Sequence, residues 1–382
     1  MSIKLLPVSA MATLMATTAL ADAPSVAVDI APVHSLVAKV MEGVGTPDLV
    51  IQQGASPHEY NLRPSEAAAL QNADLVFWIG EDLTPWMEDA VDTLAANADV
   101  TTLLYADGVT LLDFRENALF EAHAHGDEDH GDHEHDHEEH AEAKEHDHDH
   151  DHDHDHEEHA EAEEHDHDHE EHAEAKEHDH DHDHDHEEHA HEEAAEHDHD
   201  GHDHDDHAGH DHGEHDPHAW LSLENAGTWL NVIAAKLSAA DPDNAGTYFA
   251  NAAAGRADLD ALATEVNALL DPVRGGSFIV FHDAYQYFET SFDFPASGAI
   301  SLSDASDPSP ARIAEIQGRI SSEGVDCVLA EPQFNPGIVT VVLDGTEAGT
   351  SVIDPLGVDI EPGPDLYPTL IRNMATTLAE CL

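Results

Sequence analysis

Outside one long polar stretch, short apolar runs alternate with longer segments whose apolar residues recur at helical spacing. The apolar runs predict strands at 26–30, 49–51, 75–79, 101–105, 277–281, 325–330 and 352–354. The longer segments predict helices at 34–41, 65–71, 85–94, 223–237, 244–270 and 368–378, and a further helix that starts at Ser309-Pro310. This alternation predicts an α/β protein with mainly parallel sheets flanked by helices.

The predicted helix at 244–270 is long and separates two regions of strands and helices. At ~1.5 Å per residue it extends about 40 Å, enough to run the length of a two-lobed molecule. We therefore predict an N-terminal lobe of residues 22–120 and 217–243, a connecting helix of residues 244–271, and a C-terminal lobe of residues 272–382.

The polar stretch at 121–216 interrupts the N-terminal lobe, and in it histidine mostly alternates with aspartate or glutamate. It holds 33 of the 37 histidines, and the string EEHAEAKEHDHDHDHDH occurs in it twice, beginning at Glu138 and at Glu170. Because it has hardly any apolar residue beyond alanine, it cannot offset the entropy of ordering the chain. We predict a disordered His/Asp/Glu-rich loop with many weak zinc sites; the alternative is a solvated linker with incidental metal affinity.

The first 21 residues have the layout of a secretory signal peptide: Lys4, an apolar run at 5–20, and a small-residue pattern that ends at Ala21. No later run is long enough to span a bilayer, so we expect an exported protein that is not embedded in the membrane. The two cysteines, Cys327 and Cys381, favour a structural disulfide over two free thiols in such a protein.

The formal net charge of -71 excludes nucleic acid as a partner, because too few basic residues are present to neutralise phosphates. The charge is unevenly distributed: 44 of the 83 acidic residues lie in the stretch at 121–216, with only Lys144 and Lys176 as bases. The rest of the chain is acidic to a degree that is compatible with folding.

Only four histidines lie outside the polar stretch: His34, His58, His218 and His282. The last three lie where a predicted strand or the polar stretch ends, and open α/β sheets bind ligands at the carboxyl ends of strands. Three imidazoles with one oxygen donor suit zinc. We therefore expect these three to form a zinc site, and we expect His34, early in a predicted helix, to pack or cap.

Five motifs, in this order, resemble the zinc-binding solute-binding proteins of zinc ABC transporters, the ZnuA type within the cluster A-I family. They are GASPHEYNLRPSEAAALQNADLVFWIGEDL, DPHAWLSLENA, FHDAYQYFE, CVLAEPQFNP and IDPLG. The resemblance extends over essentially the whole mature chain and includes a His/Asp-rich loop in the same place. It implies a metal cleft between two lobes that are joined by one long helix.

Position by position, the resemblance implies that His58, His218 and His282 match the three zinc-binding histidines of the family. A metal-bound imidazole usually donates its second nitrogen to a carboxylate or a carbonyl. Asp283, beside a histidine, and Glu331, after a predicted strand, are candidates for that contact.

The fourth ligand stays open. Some members have a glutamate ligand directly before the first histidine, where this chain has Pro57. Asp354 falls near an aspartate ligand of manganese-binding relatives, so we expect either Asp354 or water. The resemblance also implies that Cys327 and Cys381 form the family's disulfide.

The sequence thus predicts a monomeric, non-enzymatic protein that captures Zn²⁺ in the periplasm with high affinity and delivers it to the permease of an ABC transporter. Alternatives are a periplasmic zinc store that acts through the polar stretch, and a manganese or iron carrier of the same family. A zinc hydrolase also has three protein ligands and an open position, but no general base or HExxH arrangement is identifiable here.

Overall fold

The computed structural model describes residues 23–115, 215–301 and 308–382. The predicted signal peptide at 1–21 and nearly all of the predicted disordered loop at 121–216 lie outside these residues. Within the described ranges, no helix is long and apolar enough to cross a membrane.

The first sheet is parallel and buried at its centre. Its strands are β1 (Val26–Val28), β2 (Asp48–Leu49), β3 (Leu75–Trp78) and β4 (Asp99–Thr102). Their spatial order is β2-β1-β3-β4. Every residue of β1 and β3 is buried, as expected for parallel strands covered on both faces. The helices of this region are α1 (Ala31–Val40), α2 (Pro64–Asn72), α3 (Glu88–Leu94) and α4 (Leu223–Ala240).

The second sheet repeats this arrangement. Its parallel strands are β5 (Phe278–His282), β6 (Gly298–Ser301), β7 (Cys327–Ala330) and β8 (Gly349–Val352), in the order β6-β5-β7-β8. Its helices are α6 (Gln286–Phe292), α7 (Pro310–Glu323) and α8 (Pro336–Leu343). Both sheets therefore have the same strand order, with the first and third strands at the centre. The two-sheet α/β architecture predicted from the sequence is confirmed.

The long helix α5 (Ala245–Leu270) packs against α1, α4 and the last helix, α9 (Leu366–Cys381). At Gly255 a Cβ atom would lie only 2.9 Å from a methyl carbon of Leu230, so glycine permits the close approach of α5 to α4. The helix α9 also contacts α1, and the Tyr367 backbone N–H donates to the Ser35 hydroxyl at 2.9 Å. The last helix of the chain thus joins residues of both sheet regions, and the exact lobe boundaries stay a prediction.

Several element boundaries differ from the sequence prediction. Helix α1 begins three residues before 34–41, because Pro32 lies in the first turn, where a helix needs no N–H donor. Strands β4 and β8 begin two and three residues before the predicted 101–105 and 352–354, and each ends within its predicted range. The apolar residues that suggested those ranges, among them Leu103 and Ile353, are buried just beyond the paired segments.

Three short elements were missed: β6, α6 and α8. Helix α8 had a recognisable start signal, because Asn335 accepts the Gly337 backbone N–H and Pro336 occupies the first turn. Strand β6 contains a glycine, an alanine and a serine, so its composition gives little strand signal.

A disulfide joins Cys327, at the start of β7, to Cys381, at the end of α9. The Cα atoms are 5.9 Å apart, and the two residues are 54 positions apart in sequence. The bridge therefore fixes the last helix to a central strand of the second sheet.

Replacing both cysteines by alanine should lower the free energy of unfolding by about 3–4 kcal/mol, because the unfolded chain loses a long cross-link. Urea unfolding of the zinc-free protein measures the change. Reduction of the wild-type protein with a thiol should lower its stability to the same value and leave the double variant unaffected. Equal stability of wild type and double variant would show that the bridge does not stabilise the fold.

Candidate metal centre

Three separate parts of the fold supply the histidines predicted to bind metal. His282 is the last residue of the central strand β5. His218 lies directly before a short 3-10 turn at Ala219–Leu221 that leads into α4. His58 lies on the loop between β2 and α2. His218 and His282 are buried, and His58 is half-buried.

The structure brings these three histidines together. One ring nitrogen of each lies within 4.8 Å of the others, and in the part of the chain that the structure describes this is the group of His, Cys, Asp or Glu side chains that can hold a metal ion. The ring centroids of His58 and His218 are 5.4 Å apart, and those of His218 and His282 are 5.3 Å apart. Three convergent imidazoles are a donor set typical of zinc.

Two of the rings are oriented by buried carboxylates. The Nδ1 atom of His218 lies 2.7 Å from Asp216 Oδ1, and Nδ1 of His282 lies 2.8 Å from Glu331 Oε1. Because an ionised carboxylate only accepts hydrogen bonds, it favours the tautomer with the proton on Nδ1 and the lone pair on Nε2. Such carboxylate–histidine pairs fix ligand orientation and raise ligand basicity in metal sites.

The Asp216–His218 pair was missed from the sequence. The Asp216 carboxylate also accepts the backbone N–H of His218 at 2.9 Å, so one side chain holds both the backbone and the ring of the histidine. The available signal was the Asp-Pro-His spacing, which is typical of a local turn closed by an aspartate. Glu331 makes the contact that the sequence suggested for it.

Asp283 does not make the contact with a histidine ring that the sequence suggested for it. Its carboxylate pairs with Arg115, which lies 2.9 Å away through Nη1. Burial raises the pKa of Asp283 to about 7, and it raises the pKa of Asp216 to about 7 as well. The positive charge of Arg115 lowers the pKa of both carboxyls and so opposes this effect.

The pocket around the histidines is closed by aromatic and apolar groups. Its lining besides the histidines consists of Ser56, Pro57, Trp220, Glu331, Gln333, Phe334, Pro355 and Leu356. The indole N–H of Trp220 donates to the Pro355 carbonyl at 2.9 Å, and the indole N–H of Trp86 donates to the Pro57 carbonyl at 2.7 Å. These contacts fix the walls of the pocket.

Asp354 lies outside the three-histidine group. One carboxylate oxygen accepts the backbone N–H groups of Leu356 and Gly357, each at 3.0 Å, and the other accepts that of Val358 at 2.6 Å. The Gln333 side-chain amide lies 3.4 Å from it. The carboxylate therefore holds the loop after β8, and its oxygens are already engaged there.

His34 is buried in the first turn of α1, away from the other three histidines. Its Nε2 lies 3.0 Å from the Pro47 carbonyl, and burial lowers its pKa. Glu59, next to His58, is exposed. His34 thus has the packing role expected from the sequence.

Two parallel α/β sheets, a long helix and a convergent histidine cluster define a two-lobed metal-binding protein. The family model for the zinc-uptake complex component A, periplasmic (ZnuA), matches residues 26–381. The chain belongs to this family.

A similar protein agrees with this assignment, and two solved structures share the fold. The high-affinity zinc uptake system protein ZnuA of Brucella abortus (strain 2308) is 44% identical over 357 residues, which cover 94% of this chain and 91% of that protein. A crystal structure of ZnuA superimposes with a TM-score of 0.62 at 19% identity, covering 94% of this chain and 99% of the other. The structure of the solute-binding protein FpvC of Pseudomonas aeruginosa in complex with Mn²⁺ superimposes with a TM-score of 0.61 at 15% identity. The superposition covers 94% of this chain and 98% of the other.

The Glu331→Gln variant should bind zinc about 10- to 100-fold more weakly, because the amide keeps the shape of Glu331 but removes the charge that supports His282. Competition with a strong chelator measures this affinity. Asp241→Asn is a matched control, since Asp241 is a buried carboxylate bonded to Asn244 and Tyr248 at the α4–α5 junction. Equal weakening in both variants would mean that the effect arises from general destabilisation.

Proposed function

We propose that this protein captures Zn²⁺ in the periplasm and delivers it to the permease of an ABC transporter for zinc uptake. The observation that supports this most directly is the convergence of His58, His218 and His282 within 4.8 Å in a buried pocket. Membership of a family of periplasmic zinc-uptake components supplies the transport role.

Zinc is favoured over manganese or iron by the donor atoms. Manganese prefers carboxylate oxygens and a higher coordination number, whereas imidazole nitrogens suit zinc in tetrahedral sites. The fold alone does not select the metal, because the similar FpvC protein binds Mn²⁺. Selectivity in this chain therefore rests on the three imidazoles.

For the fourth coordination position we favour water over Asp354. Asp354 is not part of the convergent three-histidine group, and both oxygens of its carboxylate accept backbone N–H groups that hold it to the following loop. A water ligand also exchanges readily, which suits a protein that has to release its ion to a transporter.

The disulfide between Cys327 and Cys381 fits an oxidising compartment such as the periplasm. A zinc store that acts through the polar stretch at 121–216 is the second candidate, but that stretch lies outside the described residues. No described contact favours storage over delivery.

Changing His58, His218 or His282 singly to Ala should weaken zinc binding more than about 100-fold. Loss of a residue that only hydrogen-bonds a ligand typically weakens metal binding roughly 10- to 100-fold, and loss of the ligand itself should cost more. The measurement is calorimetric competition between the protein and a strong chelator. It uses a variant in which a short Gly-Ser linker replaces residues 116–214, since Asp113 and His215 are bridged and the ends are adjacent.

His34→Gln is the matched control, because His34 is buried but lies outside the cluster. We expect it to bind zinc like the parent, and we expect manganese to bind the parent far more weakly than zinc. Tight zinc binding that survives all three alanine substitutions would contradict the proposed site. Tight binding that disappears with residues 116–214 would favour storage.

A further inference from the structure

The two chain segments that flank the polar stretch at 121–216 lie side by side. Asp113 and His215 form an isolated antiparallel bridge, and the Asp216 backbone N–H donates to the Leu112 carbonyl at 2.8 Å. We call residues 112–115 the entry stem and residues 215–216 the exit stem. The exit stem adjoins the three-histidine site, since Asp216 holds the His218 ring.

A single hydroxyl on α6 binds both stems. Tyr287 is buried, and its hydroxyl accepts the Leu112 backbone N–H at 3.0 Å and donates to the Asp216 carbonyl at 2.9 Å. A phenol has one O–H to donate and lone pairs to accept with, so these two contacts use both capacities. Gln286, the preceding residue, donates its side-chain N–H to the Asp113 carbonyl at 3.2 Å.

A charged contact fixes the entry stem to the same helix. The Arg115 guanidinium forms a two-pronged pair with Glu289, with 2.7 Å from Nη2 to Oε2 and 3.2 Å from Nη1 to Oε1. Its Nη1 also donates to Asp283 Oδ1 at 2.9 Å. Both carboxylates are buried, and Glu289 additionally accepts the Ala296 backbone N–H at 3.1 Å. Bidentate, partly buried pairs of this kind are strong and directional.

These contacts connect two of the three metal-binding histidines. Asp216 accepts both the backbone N–H and the ring of His218, so a shift of the exit stem moves His218. Asp283 directly follows His282, and α6 begins four residues after His282. Tyr287 and Arg115 thus bind the segment that carries His218 to the segment that carries His282.

We infer that Tyr287 and Arg115 are positioning residues that hold His218 against His282 and so set the geometry of the zinc site. The inference rests on the proposed function of that site. It gives the stems of the polar stretch a direct link to zinc affinity, although neither residue is a metal ligand. His58 reaches the site on a different loop and is outside this contact set.

The test uses the full mature chain and three readouts: zinc affinity from chelator competition, the visible absorption spectrum of the Co²⁺-loaded protein, and thermal unfolding without metal. Tyr287→Phe should weaken zinc binding about tenfold, because two hydrogen bonds of the contact set are lost. It should also change the cobalt spectrum, which reports the ligand geometry around the ion.

Tyr248→Phe is the matched control. The Tyr248 hydroxyl is buried and donates to Asp241 at 2.8 Å, at the α4–α5 junction. We expect this variant to lose thermal stability and to keep the zinc affinity and the cobalt spectrum of the wild type. A merely structural role of Tyr287 would make the two variants alike in all three readouts, and that result would overturn the inference.

Arg115 provides a second, independent variant pair should Tyr287→Phe not fold. Arg115→Lys keeps a positive charge but loses the two-pronged contact, so zinc affinity should fall in the order wild type, Arg115→Lys, Arg115→Met. Arg372→Met is its control, because Arg372 forms a similar pair with Glu265 on the exposed surface. Wild-type affinity in Arg115→Met would overturn the inference.

His218→Ala in the same titration separates the two proposals. If His218→Ala loses tight zinc binding while the Tyr287 and Arg115 variants behave like the wild type, the positioning role alone is overturned. Tight binding retained in His218→Ala would overturn both the proposed zinc site and this inference.

Discussion

Two buried carboxylate–imidazole pairs, Asp216–His218 and Glu331–His282, are the contacts on which the proposed metal centre depends. The rings come from distant parts of the chain, and each has two rotatable side-chain bonds. Without a partner on Nδ1, each ring could rotate about these bonds. Bringing the Nε2 atoms together would then cost side-chain conformational entropy when the ion binds. Because both carboxylates are themselves buried, that entropy is already lost on folding.

The fold supplies rigid supports for these pairs. His282 ends the central strand β5, and Glu331 directly follows its neighbour β7, so adjacent strand ends bring the pair together. The exit stem carries Asp216, and its position depends on Tyr287 of α6. The disulfide and the contacts of α9 with α1 and α5 connect the second sheet to the helices of the first.

The sequence was sufficient for the two-sheet architecture and the long helix, because buried strands and α5 leave strong local patterns. The edge strand β8 is largely exposed and leaves a weak sequence pattern, so its position was predicted incorrectly. The short strand β6 also leaves a weak pattern and was missed. Arg115 and Tyr287 could not be assigned roles, since their contacts join residues that are more than seventy positions apart in the chain. No local pattern encodes such a pairing. Asp354 falls near an aspartate ligand position of manganese-binding relatives, but its hydrogen bonds within the following loop are visible only in three dimensions.

X-ray absorption at the zinc edge tests the three-histidine site most directly. The sample is the variant with a linker in place of residues 116–214, loaded with one equivalent of zinc. We expect a four-coordinate ion with three imidazole ligands at about 2.0 Å and one further oxygen at a similar distance. A spectrum dominated by oxygen ligands, or one with fewer than three imidazoles, would contradict the assignment of His58, His218 and His282.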